Sequence, residues 1–493
     1  MQRRDTGSGG AKPDLSFNTR GEELAADLCI IGAGSGGLSV AAAAAMFGQR
    51  VVLIEKHKMG GDCLNYGCVP SKALLAAAKR AHLMRTSKPF GIEPVAPQID
   101  HSGVRNHVRG VIAAIAPNDS VERFTGLGVR VIHATGRFLD KKTVAAGDYR
   151  IRARCFVIAT GSSPLVPPIP GLEQTPYFTN ETIFDNGSKF NHLLVIGAGP
   201  SGLELAQAHL RLGSRVTVLE AKRPMGKDDP ELAAVLLKAL RDEGLVIHED
   251  TSVERVEGVP GALRVTLKTR GRSEVVDGSH LLVAVGRRPN LADLDLKAAG
   301  IEYDQKGILV DAGLMTTNRR VFAIGDCTGS AQFTHVANYH SGIVIRRALF
   351  RLPAKVNNAV IPWVTFTEPE LAHVGLTEAQ AKARTRSIRV LRWPYHDNDR
   401  AQAERATEGL VKVVTDSKGL ILGASIVGVH AGELIQPWSL AISRALKIRA
   451  MTGWISPYPT FSEINKRAAL RYYVKMGSNR FVRKAIGLLA RLG

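Results

Sequence analysis

Cysteine is scarce: there are five in 493 residues. That excludes a disulfide-stapled secreted scaffold. No zinc-finger, RNA-platform or Gly-rich basic signal is present, so the expectation is no nucleic acid partner. The start of the chain has Arg3 and Arg4 but no apolar stretch after them. A secretory or twin-arginine signal is therefore not expected. Only Leu28–Gln49 is uncharged for long enough to mimic a membrane span, and it is interrupted by Gly32, Gly34, Gly36 and Gly37. A turn followed by a helix fits it better. Acidic side chains are missing from the last 30 residues, which hold eight basic ones.

The rest is ordinary for a globular protein: 45% hydrophobic and 22% charged residues. The length suggests about three domains. The net charge of +20 is diluted over a long chain, apart from that terminal stretch. It points to anionic partners such as phosphorylated cofactors. The 49 glycines predict tight turns and close approaches of backbone to ligand.

Asp27–Ile31 reads as a buried parallel strand. Gly32-Ala33-Gly34-Ser35-Gly36-Gly37 follows, then an Ala-rich helix to about Phe47 and a strand Val51–Ile54 ending in Glu55. This is a dinucleotide fingerprint in its proper setting. Gly32, Gly34 and Gly37 let the backbone approach a pyrophosphate at a helix N-terminus, where amides and dipole favour an anion. Glu55 is placed to accept ribose hydroxyls.

The pattern recurs. Leu193–Ile196 leads into Gly197-Ala198-Gly199-Pro200-Ser201-Gly202, a helix to about Leu212, and a strand Val216–Leu219 ending in Glu220. The repeat implies two dinucleotide sites, with Gly197, Gly199, Gly202 and Glu220 in the second. Glu220 suits a free 2′-hydroxyl and favours NADH. Lys222 and Arg223 could meet a 2′-phosphate, so NADPH stays open.

Between the repeats lies Gly60-Gly61-Asp62-Cys63-Leu64-Asn65-Tyr66-Gly67-Cys68-Val69-Pro70-Ser71-Lys72. On a regular helix, five residues rise about 7.5 Å, beyond the usual disulfide Cα separation of about 4.4–6.8 Å. A bridge would need irregular backbone, which Gly61, Gly67 and Pro70 make plausible. The alternatives are a redox pair and two buried structural cysteines. Cys29, Cys155 and Cys327 read as core packing, as does His335. No histidine spacing suggests a metal site.

The segment Gly60–Lys72 resembles the redox-active disulfide motif of the class I pyridine nucleotide–disulfide oxidoreductases, a family that includes dihydrolipoyl dehydrogenase, glutathione reductase and mercuric reductase. The resemblance runs from about Asp27 to Arg471. It is carried also by Ile158–Pro164, Val283–Asn290, Val321–Asp326 and Gly423–Leu434. It implies an α/β fold with two Rossmann-type domains, for FAD and NAD(P), and an α+β dimerisation domain. The implied boundaries are a flexible segment 1–26, FAD-binding parts 27–185 and 287–356, an NAD(P)-binding domain 186–286, an interface domain 357–477 and a tail 478–493. It implies electrons passing from NAD(P)H through FAD to a Cys63–Cys68 disulfide, in a homodimer. FAD would lie near Gly32, Gly34, Gly37, Glu55, Gly136, Thr160, Gly161, Asp326 and Thr334. NAD(P)H would lie near Gly197, Gly199, Gly202, Glu220 and Gly286. Cys68 would face the flavin and Cys63 the acceptor. Lys72, paired with Glu204, would lie near flavin N5.

The family's disulfide-reducing members carry His-Pro-x-x-x-Glu near the C-terminus. Here the frame is Tyr458-Pro459-Thr460-Phe461-Ser462-Glu463. A phenol with a pKa of ~10 is a poor proton shuttle at neutral pH. Mercuric reductases resemble this chain in that tyrosine. They also carry a C-terminal cysteine pair, whereas the last cysteine here is Cys327. The acceptor is expected to be a metal ion such as Hg(II), a small disulfide or a quinone-like electrophile. Two other readings remain: a flavoprotein oxidase with idle cysteines, and a membrane-docked nucleotide sensor.

Phe481, Ala485, Ile486, Leu489 and Leu492 recur at helical spacing, with Arg483, Lys484 and Arg491 opposite or flanking. This predicts a basic amphipathic helix, of the kind that lies on anionic membranes. The expected location is cytoplasmic, with peripheral contact at the inner membrane face as an added reading.

Overall fold

The computed structural model describes residues 19–20, 23–477 and 479–491. Most of the N-terminal segment expected over 1–26 lies outside these, as does Leu492. The chain forms two compact units: Met1–Pro70 with Arg109–Ser163 and Arg287–Val356, and Ser71–Val108 with Pro164–Gly286 and Asn357–Gly493.

The first unit is built on a parallel sheet. Its order is Arg130–His133, Val51–Glu55, Glu23–Ile31 and Tyr149–Ile158, with Val321–Ala323 added beside the last. The inner strands are apolar over residues 28–31, 51–54 and 155–158, where both faces are buried. Cys29, Ile31 and Phe156 pack on one face, and Leu28, Ile30, Leu53 and Cys155 on the other. Ile31 stands in register with Ile54 and Ile158. The sheet thus brings Gly32, Glu55 and Ala159 together at its carboxyl edge. The helices Ser35–Met46 and Thr334–Ala348 pack against each other.

The second unit repeats this order as Val246–His248, Arg215–Leu219, His192–Ile196 and His280–Val283, all parallel. Ile196 pairs with Leu219 and Val283, as Ile31 does with its neighbours. A five-stranded antiparallel sheet follows, in the order Trp363–Thr365, Glu370–Gly375, Ile421–Gly428, Leu410–Asp416 and Ile388–Pro394. Its core includes the fully buried Trp438 and Tyr395. Lys412 on this sheet is buried, and its ammonium lies 2.8 Å from carboxylate oxygens of Asp229, Glu231 and Glu378. A charge buried this deeply persists only when paired. It ties the antiparallel sheet to the helix Pro230–Asp242. The architecture is the expected one: α/β, with two dinucleotide folds and an α+β interface domain.

The tail forms a helix over Arg480–Leu489, capped by the Asn479 side chain, which accepts the amide of Phe481 at 2.9 Å. Phe481, Ile486, Leu488 and Leu489 all stay exposed. Among the described residues, no helix is long and apolar enough to cross a membrane.

Candidate redox and dinucleotide sites

Gly32 has φ +107°, and a Cβ there would sit 2.4 Å from the Ala159 carbonyl oxygen. A Cβ on Gly37 would sit 1.9 Å from the Gly32 oxygen, so only glycine lets the helix start against the loop. The second repeat matches: Gly197 has φ +106°, and a Cβ on Gly202 would lie 2.0 Å from the Gly197 oxygen. Gly34 and Gly199, in between, are extended and meet nothing closer than 3.9 Å. Each loop therefore offers a bare backbone face and a helix N-terminus whose first amides lack intrahelical partners. Both fit a dinucleotide pyrophosphate.

The two acids are also superposable in role. Glu55 accepts the amides of Ala33 and His57 at 2.6 and 2.8 Å. Glu220 accepts those of Ala198 and Lys222 at 2.7 and 2.9 Å. The expectation had these carboxylates meeting ribose. The structure adds that each is fixed by its own glycine loop first, which aims it. Gly136, Thr160 and Gly161 lie on the first unit's side. The Thr160 hydroxyl donates to the Asn290 carbonyl, and Gly161 has φ +66° with open space beside it. Gly286, at φ +130°, is likewise open in the second unit.

The backbone between the cysteines is broken, as bridging would require. One short helix, Gly61–Asn65, ends at Tyr66, and a new one, Cys68–Arg85, begins at Cys68. Gly60 bridges to Gly34, and its amide donates to the Ala33 carbonyl at 2.9 Å. The cysteine segment is thus stitched to the glycine loop. Cys63 and Cys68 stand as thiols in hydrogen-bond contact. That contact, with burial, pushes the Cys63 thiol well above its usual range. Cys68 is the more exposed of the two, and its sulfur lies 3.3 Å from the Thr334 hydroxyl. Thr334 was expected at the flavin; here its hydroxyl serves the sulfur pair, at the first turn of its helix. The positive end of that helix favours an anionic sulfur.

A polar cluster lies beside this pair. Asp326, pushed up by burial, accepts the Ser162 hydroxyl at 2.6 Å. Arg287 donates to the Ser162 hydroxyl and carbonyl, both at 2.7 Å, and pairs with Asp62 at 3.0 Å. Asp62, Ser162 and Arg287 lie inside the quoted motifs but were not singled out from sequence.

In the second unit, Lys72 pairs with Glu204 at 2.8 Å, as the resemblance implied. Glu204 is buried, and its other oxygen accepts the Phe366 amide at 2.9 Å. The Phe366 ring lies under the ammonium, 4.4 Å away. Nothing in the sequence flagged Phe366, which is 162 residues from Glu204. Lys72 is one helical turn beyond Cys68 on the helix Cys68–Arg85.

The Tyr458 hydroxyl donates to Asp399 at 2.7 Å, which raises its pKa further. Glu463 is engaged by Arg467 at 2.7 Å. Cys29, Cys155 and Cys327 are buried with raised pKa values, about 12 for the last two, because of burial. They are packing, as read. His335 stacks on Phe333. Among the described residues, no group of three or more His, Cys, Asp or Glu is placed to hold a metal ion.

Residues 26–341 match the family described as pyridine nucleotide-disulphide oxidoreductase, and residues 361–469 match the dimerisation domain of that family. A mercuric reductase from Bacillus cereus is 35% identical over 464 residues, covering 94% of this chain and 73% of that protein. A dihydrolipoyl dehydrogenase from Bacillus subtilis (strain 168) is 32% identical, covering 90% of this chain and 95% of that one. Among solved structures, the Cu(II) complex of the HOCl-induced flavoprotein disulfide reductase RclA from Escherichia coli aligns with a TM-score of 0.81 at 27% identity, over 90% of this chain and 98% of that one.

Proposed function

The chain belongs to the pyridine nucleotide-disulphide oxidoreductases, an FAD-dependent NAD(P)H enzyme family, and from that premise we propose that it passes electrons from NADH to a thiophilic metal ion through Cys63 and Cys68. The observation that carries this reading is the thiol pair at a helix break, stitched to the first glycine loop and capped by Thr334. Bound FAD supplies a two-electron relay between a nicotinamide and a disulfide.

The residues then divide the work. Gly32, Gly34 and Gly37 hold the flavin dinucleotide, with Glu55 on its ribose and Asp326 on its ribitol. Gly197, Gly199 and Gly202 hold the nicotinamide dinucleotide. Lys72, kept in place by Glu204, supplies a cation beside the ring as negative charge gathers there. Thr334 steadies Cys68 as a thiolate. Cys63 is the exchange thiol that meets the acceptor. The working division is FAD-binding parts 27–185 and 287–356, a nicotinamide domain 186–286 and an interface domain 357–477, acting as a homodimer.

NADH is preferred in this reading because Glu220 is pinned where a 2′-phosphate would bring a second negative charge. A metal acceptor is favoured over a disulfide because Tyr458 is a committed donor to Asp399 rather than a base. One panel separates these points: NADH and NADPH oxidation with Hg(II), Cu(II), lipoamide, glutathione disulfide and quinones. Tyr458→His puts an imidazole next to Asp399, which would orient it as a base. Lipoamide turnover is expected to rise by about tenfold or more. No rise would remove the argument from Tyr458, and faster turnover with NADPH would remove the one from Glu220.

The tail helix is read as a contact with an anionic bilayer surface, since its exposed apolar side chains accompany Arg480, Arg483, Lys484 and Arg491 with no acid. The full chain is expected to sediment with phosphatidylglycerol vesicles and a chain ending at Gly477 to stay in solution. Equal sedimentation of the two would exclude this contact.

A further inference from the structure

Asp62 directly precedes Cys63 in the first turn of the helix Gly61–Asn65. One of its oxygens pairs with Arg287 at 3.0 Å. The other lies 2.7 Å from the point where a side chain at Gly67 would begin. The carboxylate therefore reaches into the loop between the two cysteines, and a side chain at 67 would displace it.

A second acid closes on the same segment. An Asp119 oxygen lies 3.0 Å from where a side chain at Gly60 would begin. Asp119 has Arg123 near it, and Asp62 has Arg287. Arg287 is shared between Asp62 and Asp326, the latter at 3.9 Å, and is held in place by Ser162. Lys58 is drawn instead over the Tyr66 ring, 5.1 Å away. Asp62 is the carboxylate that acts on the exchange thiol, and the arginine paired with it is divided between two acids.

We propose that Asp62 is a specificity-determining residue that admits cationic or neutral electrophiles to Cys63 and turns away anionic ones. The proposal rests on the reading of Cys63 as the exchange thiol. It places soft metal cations inside the acceptor class and carboxylate-bearing disulfides outside it. The effect of Asp62 on the Cys63 thiol has the same sign: its charge holds the thiol's pKa up, as a nearby anion must.

The test uses charge alone. The FAD-loaded enzyme, reduced and kept anaerobic, is treated with iodoacetate, an anion, and with iodoacetamide, its neutral counterpart. In both, a thiolate displaces iodide. Peptide mapping identifies the sulfur that reacts, and the two rates give a ratio that cancels general changes in thiol reactivity. Asp62→Asn is expected to raise the iodoacetate-to-iodoacetamide ratio by about 3- to 10-fold at low salt. The gain should shrink as salt is added. Asp62→Glu, which restores the charge, should return the ratio towards that of the unmodified chain. A ratio unchanged in Asp62→Asn, with Cys63 still the labelled residue, overturns the proposal. Labelling of Cys68 in place of Cys63 overturns the exchange-thiol reading, and the proposal with it.

Discussion

With Cys68 replaced by serine, acceptor-dependent NADH oxidation is expected to fall by about 10³-fold or more, because a relay that works as a unit fails when either member is lost. The substitution is nearly isosteric. Cys68 begins a helix, and its sulfur touches Thr334 at 3.3 Å, a contact a serine hydroxyl can keep in kind. Flavin content should therefore match the unmodified chain. The long-wavelength absorbance of a thiolate against flavin should vanish, while reduction of bound flavin by NADH persists. Stopped-flow absorbance with and without acceptor separates these steps. A flavoprotein with idle cysteines would lose no turnover in Cys68→Ser. A nucleotide sensor would turn over little before or after the change.

The glycine loops yield the second large effect, and the internal repeat supplies its control. In Gly37→Ala the new methyl would meet the Gly32 oxygen at 1.9 Å, and in Gly202→Ala it would meet the Gly197 oxygen at 2.0 Å. Backbone cannot retreat as a flexible side chain can, so each helix must shift away from its loop, and the dinucleotide grip goes with it. The chemistry of the two changes is the same, but the outcomes should differ. Gly37→Ala is expected to purify with less than about a tenth of the normal flavin, since a loss of about 1.4 kcal/mol already costs tenfold in affinity. Gly202→Ala should keep its flavin and raise KM for NADH by about tenfold or more. Flavin absorbance per chain and steady-state kinetics read both. Loss of flavin in Gly202→Ala, with normal flavin in Gly37→Ala, would reverse the assignment of the two loops.

How far the sequence speaks depends on how local the physics is. Both glycine loops were legible because strand, turn, helix and terminal acid follow one another within 29 residues, Asp27 to Glu55 in the first and Leu193 to Glu220 in the second. The irregular backbone between Cys63 and Cys68 was legible for the same reason: a bridge needed it and Gly61, Gly67 and Pro70 made it plausible, and the structure breaks the helix at Tyr66. The Lys72–Glu204 pair joins residues 132 apart and was reached only through the family resemblance. Phe366, which completes that pair with its amide and its ring, carries no pattern of its own. Its role depends on how a distant strand end is laid against the helix Pro200–Arg211. Asp399 was missed likewise: an acid beside Tyr458 is visible only once the interface sheet has formed. Asp62, Ser162 and Arg287 stood inside recognised motifs. They drew no notice because the contacts that join them cross 125 residues or more of sequence.

The most direct measurement is an anaerobic titration of the purified holoenzyme with NADH or dithionite, followed by absorbance and by thiol counting. The account predicts an uptake of about four electrons per flavin, two for the ring and two for a sulfur–sulfur bond. Two new thiols should appear, mapped to Cys63 and Cys68. An uptake of about two electrons, with the thiol count unchanged throughout, would contradict it.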